Sequence, residues 1–388
     1  MRAFVFTDRS LARQAGQFVW LEIDTEKARN AALSARLKVR ALPTFFVLDP
    51  ATEAVVLRWV GGATAPQLEK LLEDGRLAVA SAGSATPGGH RAPASAADSA
   101  FARAERLYGE DDNAAAADAY QEALRLAPDG WPHYGRAVES LLFAWQNTDD
   151  YEPAARLARD AWPRLRKTSS AANVVASGLD CALSLPDDHP LRRELMKTFE
   201  AGARELIADP AVPLAADDRS AVYIVLLDAR KDAKDSTGAR RVASEWAAFL
   251  EGEAARAVTP EERAVFDPHR LSAYLELGEP ERAIPMLEAS ERDFPDDYNP
   301  PARLALAYKA MKRWDQALAA SDRALVGVYG PRKLRLLEAR AEIYVGRADR
   351  AAARRTLEEA VALAESFAPG QRSESAIASL KKKLGALP

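Results

Sequence analysis

Three tyrosines, Tyr274, Tyr308 and Tyr344, stand 34 and 36 residues apart, each in an alanine- and leucine-rich stretch. Small residues keep the same intervals: Ala283, Ala317 and Ala353 run in step with them, and Ala324 and Ala360 repeat the later one. Self-similarity at this period belongs to stacked two-helix units, none of which can bury its apolar face alone. Small residues let the two helices of a unit approach, and aromatics fill the gaps between units.

The recurrence divides the chain. The clearest copies lie within about residues 266–366. One carries Ala307, Tyr308, Trp314, Ala317 and Ala324, and the next Ala341, Tyr344, Ala353 and Ala360. The copy before them has Tyr274, Gly278, Ala283 and Leu287 and closes at Pro295. Far upstream, Ala116, Tyr120, Ala123 and Pro128 match the second helix and closing proline of another. Residues 131–260 fit poorly but stay alanine-rich, with Trp131, Tyr134, Trp145, Tyr151 and Trp162 recurring, and read as degenerate helical hairpins. Residues 99–388 as a whole are dominated by good helix formers. Residues 79–98, rich in Ala, Ser, Gly, Pro and Thr without apolar periodicity, read as a flexible linker.

Residues 1–78 follow a different pattern. Phe18–Ile23 reads as a buried strand, Ala28–Leu37 as a helix, and Thr44–Leu48 as a second strand. Asp49-Pro50-Ala51-Thr52 makes a turn, and Val55–Val60 is the hairpin partner of the second strand. Gly61-Gly62 ends it, and Pro66 opens a last helix running to about Asp74.

In the order strand–helix–strand–strand–helix, this region resembles the second half of a thioredoxin-like domain. Arg40-Ala41-Leu42-Pro43-Thr44-Phe45-Phe46-Val47 carries the likeness, with Val19–Asp24 upstream and Trp59-Val60-Gly61-Gly62 downstream. Phe4–Asp8, followed by Leu11-Ala12, resembles the end of that family's first helix. The repeats resemble tetratricopeptide repeats. The fold class these resemblances imply is an incomplete α/β thioredoxin-like domain at 1–78, joined to an all-α tetratricopeptide-like solenoid at 99–388. In the thioredoxin family the proline is cis, and the backbone before it binds a substrate chain as an added strand, which implies substrate-binding positions at Leu42, Pro43 and Thr44. A trans proline opening an ordinary strand is the alternative. The family's CxxC pair has no counterpart: no cysteine lies in residues 1–180. Either the native chain begins upstream of Met1, the preferred reading, or the domain is a degenerate binding module. Arg2–Phe6 reads as the tail of a helix without a capping residue before it, and a shortened sheet exposes an edge that favours self-association.

Hydrophobic residues make up 48% of the 388 and charged residues 28%, which is the composition of a folded chain. The formal charge of −4 gives no reason to expect nucleic acid as a partner. No apolar stretch approaches the roughly 20 residues of a membrane span. Met1–Asp8 lacks the features of a signal peptide, so the chain as written reads as cytoplasmic, and an upstream signal would make it extracytoplasmic.

The lone Cys181 sits in an apolar helical stretch and reads as a buried inert thiol. His90, His133, His189 and His269 show no metal-ligand spacing, and the Asp-Asp pairs read as caps and turns. No metal site, cofactor or catalytic residue is expected. A stack of helical hairpins leaves a groove that suits a protein or peptide partner. Its inner positions here are Ala302, Leu306, Lys309, Glu338 and Glu342, which do not resemble a carboxylate clamp. The function these features imply is a non-catalytic interaction scaffold. The alternative is a thiol–disulfide oxidoreductase whose cysteines precede Met1, with the repeats recruiting substrate. Beyond the self-association or poor solubility that an exposed sheet edge favours, these features assign no oligomeric state.

Overall fold

The computed structural model describes residues 5–39, 42–83 and 95–387. Residues 1–4, Arg40, Ala41 and most of the expected linker, residues 84–94, therefore lie outside the described residues. A short helix, α1 (Ala31–Arg36), is followed by strands β1 (Thr44–Leu48) and β2 (Val55–Val60) and by α2 (Ala65–Gly83). Beyond it come the paired helices α3 (Ala96–Gly109) and α4 (Asn113–Leu126), α5 (Tyr134–Gln146) and α6 (Tyr151–Leu165), and α7 (Ala171–Ser184) and α8 (Arg192–Ala208). They continue with α9 (Ala216–Asp232), α10 (Ser236–Arg256), α11 (Pro260–Ala264), α12 (Asp267–Leu277) and α13 (Ala283–Asp293). The last are α14 (Asn299–Ala310), α15 (Trp314–Gly327), α16 (Arg332–Gly346), α17 (Arg350–Ser366) and α18 (Glu374–Gly385). The described chain forms two compact units, one of residues 1–15 and 40–242, the other of residues 16–39 and 243–388.

In the first unit β1 and β2 form an antiparallel hairpin that pairs Thr44 with Val60 and Phe46 with Arg58. The Asp49 carboxylate organises the turn by accepting from the Ala51 and Thr52 amides at 2.7 and 3.3 Å. The Leu42–Pro43 bond is cis. The Gly61 amide closes the open end of the hairpin by donating to the Pro43 carbonyl at 2.8 Å. Thr64 and Gln67 cap α2 reciprocally. The helix then lays Leu68, Leu71 and Leu72 into the core. It approaches the hairpin so closely that a Cβ at Gly75 would stand 2.7 Å from Val47 Cγ2. α2 also continues to Gly83, into the stretch expected as linker, because Leu77–Ala82 holds no helix breaker. α3 likewise starts before residue 99, at Ala96, behind the Ser95–Asp98 capping box.

Arg58 ties the hairpin to the first helical pair. Its guanidinium donates to the Tyr108 carbonyl at 3.2 Å and pairs with Asp111 Oδ1 at 3.3 Å. It also lies over the rings of Phe46 and Tyr108. Asp111 occupies the left-handed region (φ 63°) in the turn between α3 and α4. Within that pair Ala104, Ala116, Tyr120 and Ala123 are fully buried, as the repeat pattern requires. α5 to α9 pack successively, with α5 against α7 and α7 against α9, so the stretch with degenerate patterning is built of helical hairpins too.

The second unit holds the clearest repeats. Tyr274, Ala283, Ala307, Ala317, Ala324, Ala341, Ala353 and Ala360 are all buried. Trp314 packs on the end of α16, where a Cβ at Gly346 would meet its ring at 2.5 Å.

The expected buried strand at Phe18–Ile23 is not formed: no strand is assigned there, and Val19 and Leu21 are 88% and 74% exposed. A strand needs a neighbouring strand, and among the described residues none is assigned beside this segment; the residues that follow it, Asp24–Glu26, are held by helix-connecting turns of their own unit. The Tyr329 hydroxyl donates to Asp24, the Arg332 amide to Glu26 at 2.7 Å, and Gln371 to the Thr25 carbonyl at 2.9 Å. Among the described residues the sheet therefore has two strands, fewer than the thioredoxin resemblance implies.

Candidate binding cleft

An open cleft of about 410 Å³ lies in the first unit. β2 contributes Trp59, and α2 contributes Pro66, Lys70 and Leu71. Trp131 and Pro132 come from the connection after α4, and Tyr134, Arg136 and Glu139 from α5. Arg164 ends α6, and Thr168, Ser169 and Ser170 lead into α7. The volume falls within the roughly 300–1,000 Å³ of ligand-sized pockets.

Arg136 organises one wall. Its side chain is only 10% exposed. It pairs with Asp74 at 3.3 Å and with Glu105, and its guanidinium lies 5.8 Å from the Trp59 ring and 5.5 Å from the Phe101 ring. The buried Nε has no acceptor among the described residues. Asp74 also receives Lys70 at 2.9 Å and faces His133 at 3.8 Å. Glu105 also accepts from the Tyr120 hydroxyl at 2.7 Å. The Trp131 indole is fixed by donating to Asp98 at 2.8 Å, and the His133 ring stacks on Phe101 at 4.9 Å.

Burial sets the protonation of this wall. It pushes Glu105 upward against the opposing charge of Arg136, and Tyr120 well upward. It lowers His133, with Asp74 opposing. At Asp98 burial acts upward, but the hydrogen bonds from Trp131 and Ser95 outweigh it and hold the carboxyl below its ordinary value. Glu139, buried in the middle of α5, accepts from Asn173 at 2.8 Å. Its burial pushes it up to about 7, against the hydrogen bonds from Ser170 and Asn173. The cleft thus offers aromatic surface, hydroxyls, cations and one carboxyl that titrates near neutrality.

The residues singled out from sequence lie elsewhere. Leu42 is 54% exposed and Pro43 is exposed, while Thr44 is half-buried in β1; none of the three lines the cleft. Of the expected groove positions in the second unit, Ala302, Leu306 and Lys309 lie on α14 and Glu338 and Glu342 on α16. Lys309 pairs with Glu342 at 2.6 Å, and Glu338 pairs with Lys383 at 3.4 Å. Cys181 is fully buried, and that burial raises its thiol to about 12. Asp112 caps α4 through the Ala115 amide at 3.2 Å. Among the described residues no group of His, Cys, Asp or Glu is placed to hold a metal ion, and no helix is long and apolar enough to cross a membrane. The sequence signals for the cleft were the dense run Trp131-Pro132-His133-Tyr134-Gly135-Arg136 and a glutamate, Glu139, set in an apolar helix.

No protein-family model matches the chain, and neither does any curated protein. Among solved structures, a tetratricopeptide repeat protein from Parabacteroides merdae is similar, with a TM-score of 0.48 and 12% identity over 75% of this chain and 99% of that one. The assembly chaperone of RpL4, Acl4, has a TM-score of 0.34 and 13% identity over 74% of this chain and 96% of its own. The TPR2AB domain of yeast Sti1, in complex with an Hsp90 peptide, has a TM-score of 0.28 and 17% identity over 74% and 98%.

Proposed function

We propose that this chain is a protein–protein interaction scaffold whose helical hairpins present a binding surface to a protein or peptide. The observation that carries this reading is the cleft of the first unit: it is open and aromatic-walled, and its buried charges are already held by one another. Such a surface is built to bind, because its paired groups need no rearrangement when a partner arrives. The groove along α14 and α16 is a further surface of the same scaffold.

A thioredoxin-like origin of residues 1–78, with substrate contact at Leu42, Pro43 and Thr44, is kept as the finer proposal; the hairpin followed by α2 supports it. The oxidoreductase alternative gains nothing from Cys181, whose burial keeps it from forming the thiolate that disulfide exchange requires.

The test is an unbiased selection of displayed peptides on the full chain. The scaffold reading expects enrichment of peptides that share a motif and bind in solution, with affinity lowered by Tyr134→Ala in the cleft or Leu306→Asp in the groove. No enrichment over an unrelated helical protein would refute it.

A further inference from the structure

The charges of the cleft are unevenly covered. The carboxylates that hold Arg136 behind the wall are hidden, the side chains of Asp74 and Glu105 being 11% and 6% exposed, and the lining Glu139 is buried. Its outer cations are not. The Lys70 side chain is 45% exposed, and Arg164 is exposed at the end of α6. Arg164 lies over the Tyr134 ring at 3.7 Å and is paired with no carboxylate among the described residues. A guanidinium seated over a ring keeps its N–H groups available to donate to a planar anion. Beside these cations the lining is Tyr134, Pro66, Pro132 and the nearly buried indoles of Trp59 and Trp131. Of the charged lining residues the two that reach solvent are therefore cations, Lys70 sharing its charge with Asp74 at 2.9 Å, and the surface beside them is apolar.

Resting on the scaffold reading, we propose that this cleft receives an internal acidic–aromatic segment of a partner protein. A Glu or Asp side chain of that segment meets the rim at Lys70 and Arg164, and a neighbouring aromatic side chain lies against Tyr134, Pro66 and Pro132. Charge complementarity selects the occupant: a basic segment would face the exposed cations Lys70 and Arg164, while Asp74, Glu105 and Glu139 are covered. The attraction acts across the solvent-exposed rim and weakens as salt rises.

Three fluorescent peptides test this, each acetylated and amidated so that no terminal charge contributes: one combining Glu with Trp, its Gln analogue and its Lys analogue. With the full chain, fluorescence anisotropy should rank them acidic, then Gln, then Lys, with steps of about tenfold, the equivalent of about 1.4 kcal/mol each. Arg164→Glu should reverse the order, and Arg164→Lys should keep it. Both substitutions are at an exposed side chain, and circular dichroism confirms that the helices remain. Equal affinity for the acidic and Lys peptides, or an order unchanged in folded Arg164→Glu, would overturn the proposal. If none of the three binds while selected peptides bind elsewhere on the chain, the acidic–aromatic proposal fails and the scaffold reading survives. If selection also fails, both fall.

Discussion

The buried pair of Arg58 and Asp111 joins the β-hairpin to the turn between α3 and α4, and its removal should loosen the hairpin from the helices. Their side chains are 4% and 3% exposed and 3.3 Å apart. Taking one partner away leaves a charge in a place water cannot reach, at a cost of about 3–5 kcal/mol. Asp111→Asn suits the test because asparagine tolerates the left-handed backbone at this position, so the change removes charge rather than adding strain. Arg58→Met removes the other charge and keeps much of the packing over Phe46 and Tyr108. In the double variant no lone charge remains, and the loss should be smaller than the sum of the two single losses. Because the described chain forms two units, a single global unfolding free energy is poorly defined, and local hydrogen exchange is the better assay. Peptides covering β1, β2 and the α3–α4 turn should lose protection by roughly 150- to 4,000-fold in either single variant, as about 3–5 kcal/mol requires. Peptides covering α14 to α17 should not change. A loss below about 1 kcal/mol in both single variants, the size of an exposed pair, would refute the claim that this pair fastens the hairpin.

Three further outcomes are expected. Glu139 holds its proton in the folded state up to about pH 7, above the 4.5 of a free glutamate. Its contribution to stability is therefore fully present below pH 4.5 and lost as pH rises through about 7. Relative to Glu139→Gln, the first unit should lose about 3 kcal/mol across that window in pH-dependent denaturation, and parallel curves would contradict the assignment. Gly75→Ala should cost about 1–3 kcal/mol by driving a methyl group into Val47, and Val47→Ala in the same chain should recover part of the loss; a neutral Gly75→Ala would show that α2 and the hairpin pack less tightly than described. Cys181 should react with a thiol reagent no faster than α7 opens, so a rate at native pH matching that of a free thiol would place it at the surface.

What the sequence reveals depends on how far apart the interacting residues lie in it. The hairpin was readable because its two apolar strands flank a six-residue connection that opens with the turn Asp49–Thr52, and they pair with each other. The repeats were readable because each alanine that lets helices approach recurs at a fixed interval. Phe18–Ile23 misled because its composition suits a strand, yet strand formation is decided by a partner, and the residues just after it, Asp24–Glu26, are anchored by Tyr329, Arg332 and Gln371, more than 300 residues away. The cleft was not readable as a whole. Trp59, Lys70, Arg136 and Arg164 are spread along more than a hundred residues, and in sequence each cation looks like an ordinary helix-surface charge. Only packing shows that Arg136 is enclosed between two aromatic rings while Arg164 is left facing solvent. The Asp-Asp pairs illustrate the opposite case: Asp112 acts as a cap, which local sequence alone suggests.

The most direct test of the central claim is hydrogen exchange of the full chain, with and without a saturating peptide obtained by selection. The account predicts added protection in the segments that line the cleft, around Trp59–Leu71, Trp131–Glu139 and Arg164–Ser170. Protection confined to α14 and α16, or no change anywhere when the peptide is bound, would contradict a scaffold that binds through this cleft.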